Sequence, residues 1–172
     1  MAEAYSAVSK HKTGRAIKRN PGSAIRTVIA QSGGKRDLRA KVTKIMAKRK
    51  PASTSFNDQV VTCLLCPGSL NTDGYQQVNI RAASKVNKDI KQQTAYLHHL
   101  VHWVATDKII SSWSDSISHL CHHPDCVNEE HLTLEPLWKN IRRQKCQGGS
   151  ECECDPVSKC VLPGLSQDEL EL

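Results

Sequence analysis

Bulky aromatic side chains are scarce in this sequence: they make up 4 % of its 172 residues, and Phe56 is its one phenylalanine. That scarcity excludes a large aromatic core. A small domain with so little bulky apolar material often needs a staple, either disulfides or metal. No apolar run approaches the length of a membrane span, so no membrane association is expected. The first ten residues lack the apolar stretch of a secretory signal, which points to a nuclear or cytosolic protein rather than a secreted one. What the chain does have is cysteine, eight in all: Cys63, Cys66, Cys121, Cys126, Cys146, Cys152, Cys154 and Cys160. Thiols stay reduced in the cytosol, so clustered cysteines with histidines nearby read as zinc ligands.

Charge is unevenly spread. Residues 1–50 hold fourteen Lys/Arg against two acids, Glu3 and Asp37, a surplus of +12 that leaves −5 on the rest of a chain whose net charge is +7. A basic segment joined to a mildly acidic, cysteine-rich body points to a polyanion partner, DNA or RNA. Lys48-Arg49-Lys50-Pro51 would also suit a nuclear address, and the two readings are compatible.

Periodicity predicts an α+β chain, a small mixed domain behind a basic N-terminal arm. Within residues 1–55, Ile25, Val28 and Ile29 share one side of a segment that runs into Gly33-Gly34. Leu38, Val42, Ile45 and Met46 then repeat at helical spacing, with Lys41, Lys44 and Lys48 on another face. These segments form either a basic helical hairpin or an arm that orders only on DNA. Residues 51–55 read as the linker, 56–165 as the body and 166–172 as an acidic tail. In the body, residues 59–65 are β-rich and end at the Cys66-Pro67-Gly68 turn. A second strand follows Gly74-Tyr75 through Val78 and Ile80. A helix is expected over residues 94–105, a strand over 116–120, and a second helix from Glu135-Pro136 to about Lys145, with Pro in its tolerated first turn.

Cys121-x4-Cys126-x4-His131 places two thiolates and an imidazole on one short loop. Tetrahedral zinc needs a fourth ligand, for which Cys66 or Cys63 is the natural donor. Cys146, Cys152, Cys154 and Cys160 form a second group of four, around the flexible Gly148-Gly149. Both sites would be structural, with every position filled by protein. His98 and His102, at i and i+4 on a helix, can chelate metal, but His99 stands where a metalloprotease motif needs Glu, and ordinary helix histidines are the better reading. His122 and His123 are alternative zinc ligands that break the even x4-x4 spacing.

The segment Ser118-His119-Leu120-Cys121, with Cys126, His131-Leu132, Glu135, Leu137, Asn140 and Cys146, resembles the His-Cys box homing endonucleases, members of the ββα-metal (HNH-like) nucleases. The match is dense from Ser118 to Cys146, thins to a cysteine pattern through Cys160, and is absent from the first 55 residues. It implies a ββα-metal core with two structural Zn²⁺ ions, and a homodimer that hydrolyses double-stranded DNA with one catalytic Mg²⁺. By this resemblance His119 matches the general base and Asn140 the Mg²⁺ ligand. Cys66, Cys121, Cys126 and His131 match the first zinc site, with Cys66 better spaced than Cys63. Cys146, Cys152, Cys154 and Cys160 match the second, Cys154 standing where a family member can have His. Leu137 matches a residue that packs into the minor groove. Lys139, Arg142 and Arg143 join Leu137 as expected DNA contacts, four positive charges with Lys145 on one helix. The family's arginine near the scissile phosphate falls among Arg81, Lys85, Lys88 and Lys91 without a single match. Two other readings compete with an active nuclease: a catalytically inactive zinc-stabilised DNA-binding module, and a zinc-stabilised protein-interaction domain suited to the negative body.

Overall fold

A computed structural model of the chain describes residues 22–30, 34–56, 59–80, 93–146 and 160–161. Among the described residues two helices come first, α1 (Ser23–Ile29) and α2 (Gly34–Met46). Ile25 and Val28 of α1, and Leu38 and Val42 of α2, are all buried in one core with Leu97, Leu100, Val101 and Trp103. The i, i+3 and i, i+4 spacing of these residues sets that apolar stripe. The helical hairpin is therefore packed on the body rather than held apart from it.

The cations of this segment are its fastenings. Arg26 donates to the Ile110 carbonyl at 2.7 Å, and Arg39 to the Val104 carbonyl at 3.0 Å. Arg39 also lies 4.8 Å from the Trp103 ring centroid. Asp107 takes both Lys35 and Arg39 at 2.8 Å, Lys41 donates to the Asn79 carbonyl, and Arg49 pairs with Glu129 at 3.2 Å. Five of the fourteen cations in residues 1–50 are thus engaged with the body.

Three antiparallel two-stranded sheets follow among the described residues. In the first, β1 (Lys50–Phe56) pairs with β2 (Gln59–Leu65), from Lys50↔Leu65 to Phe56↔Gln59. Residues 51–55, expected as a linker, are therefore a strand. Ser, Thr and Pro read locally as loop, but strand propensity yields to pairing, and Pro is tolerated at the start of an edge strand. The second sheet joins β3 (Gln77–Ile80) to β4 (Gln93–Tyr96). The helix expected over 94–105 starts three residues late, as α3 (Leu97–Thr106), because Thr94, Ala95 and Tyr96 pair with Asn79, Val78 and Gln77.

The third sheet is a hairpin of β5 (Asp115–His119) and β6 (Leu132–Pro136), registered from Asp115↔Pro136 to His119↔Leu132. Helix α4 (Leu137–Arg143) leaves directly from it. The helix expected from Glu135-Pro136 begins after Pro136 instead, with Pro136 extended at its N-cap (φ −56°, ψ 140°). The strand β6 escaped the sequence reading because a five-residue apolar-polar stretch abutting a helix carries little periodicity. Hairpin and helix together form a ββα unit in a small α+β domain.

Candidate metal centres and the cleft between them

Cys63, Cys121, Cys126 and His131 converge at the end of β2 and on the β5–β6 loop. All four are buried, and their ligand atoms lie within 4.8 Å of one another. His131 Nδ1 is 3.5 Å from Cys126 Sγ and 4.0 Å from Cys63 Sγ. Zn–S and Zn–N bonds of about 2.3 and 2.0 Å at tetrahedral angles put ligand atoms roughly 3.5–3.8 Å apart, so this donor set fits zinc in type and in size. The thiols perturb one another strongly. Hydrogen bonds from Cys121 and Cys126 hold the Cys63 thiol far below its ordinary value. Sharing protons with Cys126 and Cys63 pushes the Cys121 thiol far up. Three sulfurs this close cannot all ionise without a cation between them.

The residue that the structure brings to the fourth position of this cluster is Cys63 and not the expected Cys66, for a simple reason. Side chains alternate along a strand, so Val61, Cys63 and Leu65 share the face toward Cys121 and Cys126, whereas Cys66 has the opposite parity. The Cys66 thiol instead reaches toward the Ile45 carbonyl, 3.6 Å away on α2, and burial raises its pKa. A bridge between Leu65 and Cys126 and a 2.8 Å bond from Val127 N to the Leu64 carbonyl lash the loop to β2. Sequence spacing carried no sign of that contact.

A second cluster brings Cys146 and Cys160 together with His122, all half-buried and within the same 4.8 Å. Cys152 and Cys154, expected in this site, lie outside the described residues, as do Arg81, Lys85, Lys88 and Lys91. His122 Nε2 is 2.9 Å from Cys160 Sγ, and Arg143 Nη1 approaches the same sulfur at 3.5 Å. Burial, helped by the Arg143 charge, pushes the His122 pKa down to about 4 and favours a neutral ring.

Between the two clusters a cleft of about 200 Å³ is lined by Asp73, Tyr75, His119, His122, Pro124, Asn140, Arg143 and Gln144. His119 closes β5 and Asn140 sits on α4, so the ββα unit turns an imidazole and a carboxamide into the same space. His119 Nε2 is 3.1 Å from the Cys126 carbonyl. A carbonyl can only accept, so Nε2 carries the hydrogen and Nδ1 keeps its lone pair. Burial pushes the His119 pKa down to about 4, against the Cys126 hydrogen bond, which raises it. His98 and Tyr75 pack on the ring, with centroids 4.7 and 5.9 Å away. His98 and His102 are buried core residues of α3, as expected of ordinary helix histidines. Asn140 Nδ2 donates to Ser116 Oγ on β5 at 2.8 Å, which turns its carbonyl oxygen away from that bond.

The expected DNA contacts separate on the structure. Leu137 and Arg142 are exposed and Lys139 half-exposed on α4, beside Trp138 and Ile141, which are 61 % and 47 % exposed. Lys139 Nζ stands 5.6 Å from the Trp138 ring centroid. Arg143 is the correction here: it is 3 % exposed and forked onto Glu135 at 3.1 and 2.9 Å. Three residues after Asn140, it shares that residue's helix face and lines the cleft, rather than standing with Leu137 and Arg142 on the exposed side of α4.

The fold defines a small α+β domain built around a ββα unit, with two cysteine/histidine clusters that could hold zinc. Residues 62–168 match the family described as the zinc-binding loop region of homing endonuclease, and the chain belongs to that family. No curated protein matches the chain. Membership carries a nuclease-related function, with DNA as the partner.

Proposed function

We propose that this protein is a site-specific endonuclease that hydrolyses phosphodiester bonds of double-stranded DNA, with His119 as general base and Asn140 as the ligand of one Mg²⁺. The observation that carries this reading is the shared cleft of His119 and Asn140, held together by the β5–β6 hairpin and the helix that leaves it. Because Nε2 is committed to the Cys126 carbonyl, Nδ1 is the atom that takes the proton from the attacking water. The low pKa keeps the ring neutral and ready at physiological pH. Ser116 orients the Asn140 amide, whose carbonyl oxygen is the hard donor that Mg²⁺ accepts. Asp73 lines the same cleft and adds an oxygen donor. Bound Mg²⁺ supplies charge neutralisation at the phosphate and at the leaving oxygen. Exposed Leu137 and Arg142, with half-exposed Lys139, face the duplex, and a homodimer places one such cleft on each strand of a near-palindromic site.

Purified full-length protein nicks or linearises plasmid with Mg²⁺ and not without a divalent ion, and His119→Ala abolishes cutting while leaving DNA binding and zinc content intact. Binding without cleavage under every divalent ion would overturn the catalytic reading in favour of an inactive DNA-binding module. Sequencing the ends cut from a randomised duplex library defines the target.

A further inference from the structure

Ahead of residues 62–168, which carry the family match, the structure sorts the cations of the helical hairpin into two sets. Arg26, Lys35, Arg39, Lys41 and Arg49 reach carbonyls or carboxylates of the body. Lys44 on α2 and Lys48 in the turn that continues it are exposed, with no ion pair or side-chain hydrogen bond among the described residues. We propose that Lys44 and Lys48 each neutralise one backbone phosphate of duplex DNA, on the tract flanking the cleft. The inference rests on DNA as the partner of the cleft and adds to it a second contact surface, on α2.

Three observations carry it. The first is direction. Leu38 and Val42 bury one side of α2 in the core, with Ile45 and Met46 packed beside them, and helical period turns Lys44 and Lys48 to the other side. Bonds from Ala47 N to the Thr43 carbonyl at 2.9 Å and from Lys48 N to the Ile45 carbonyl at 3.0 Å keep Lys48 one turn beyond Lys44. Like charges at that spacing weaken a helix, and an anion shared between them reverses the effect. Asp37, the one acid of α2, is already paired with Arg36 at 3.5 Å. The second is rigidity. Arg39 on Asp107 and Arg49 on Glu129 fasten the two ends of this segment to the body, so the lysines ride on a docked helix and binding carries no cost of ordering an arm. The third is place. Lys41 donates to the Asn79 carbonyl on β3, and Tyr75, four residues before Asn79, lines the cleft. Four residues of extended chain span at most about 14 Å, and Lys44 and Lys48 lie about 4.5 and 10 Å along the axis from Lys41. Both cations therefore stand within roughly one turn of duplex, ~35 Å, of the cleft.

The test uses full-length zinc-loaded protein in Mg²⁺-free buffer and a labelled random-sequence duplex, with affinity read by fluorescence anisotropy between about 50 and 200 mM salt. Each phosphate neutralised contributes about −0.9 to the slope of log affinity against log salt. Lys44→Gln with Lys48→Gln therefore flattens the wild-type slope by about 1.8, whereas Lys44→Arg with Lys48→Arg, which keeps both charges, preserves it. A control removes the same charge at the far end of α2, by Lys35→Gln with Lys108→Gln beside Asp107, and leaves the slope as in wild type. A slope unchanged by Lys44→Gln with Lys48→Gln, or flattened equally by the control, overturns the contact while DNA binding by the cleft stands. Wild type with no salt-dependent affinity for the duplex overturns both. Absence of cutting with Mg²⁺, beside the expected slopes, strikes the nuclease reading and leaves this contact in place.

Discussion

Replacing Glu135 by alanine is the sharpest perturbation the structure offers. Glu135 and Arg143 form a forked ion pair at 3.1 and 2.9 Å, with both side chains 4 % exposed. Deleting the carboxylate leaves a buried guanidinium at the wall of the cleft without its forked partner. Breaking a buried pair by removing one partner costs about 3–5 kcal/mol, chiefly as the uncompensated charge left behind. For a chain of this length each kcal/mol lowers the melting temperature by roughly 2–4 °C, so Glu135→Ala melts about 6–20 °C lower. Replacing both partners by apolar residues of similar volume, as in Glu135→Leu with Arg143→Met, recovers most of that loss, because an apolar pair has no charge to desolvate. Thermal unfolding of the zinc-loaded single and double variants, read as a double-mutant cycle, measures the coupling. The exposed Arg49–Glu129 pair, 35 % and 41 % accessible, is the internal control, and Glu129→Ala costs no more than about 1 kcal/mol. A Glu135→Ala loss as small as that of Glu129→Ala would refute the claim that this pair is buried and anchors α4.

Three further outcomes follow from the site. Cys63→Ser lowers zinc content and destabilises the fold, whereas Cys66→Ser keeps the wild-type zinc content; mass-spectrometric metal analysis of the two variants decides between these ligands. Ser116→Ala removes the partner of the Asn140 amide and lowers cleavage by about 10–100-fold, the usual effect of losing a group that orients a metal ligand, with DNA affinity unchanged by gel shift. Burial places the His119 pKa at about 4 rather than at 6.5, and the base works as the neutral ring. Cleavage therefore persists as pH falls through 6.5 and is lost only on approach to 4, in a rate–pH profile with zinc content checked at each point. A half-loss of rate at the ordinary imidazole value would contradict that placement.

The sequence by itself determined what depends on near neighbours in the chain. Cys121, Cys126 and His131 are separated by short, even spacings, so one loop can close them on an ion whatever surrounds it, and the structure gathers all three. The apolar stripe of Ile25, Val28, Leu38 and Val42 was legible for the same reason, since helical period is a local property. So was strand β2, which spans Gln59–Leu65 as its β-branched residues predict.

Tertiary structure decided the rest, wherever distant segments had to meet. Spacing favoured Cys66 over Cys63, and strand parity together with the Val127–Leu64 hydrogen bond reversed that choice. Arg143 looked like one more phosphate contact in a basic helix until β6 brought Glu135 beneath it. His122 stood out of step with the ligand spacing, and only its left-handed turn carried it to Cys160. In each case the sequence specified the chemistry of a side chain, while its direction depended on pairing and packing between segments far apart in the chain, which no local pattern encodes.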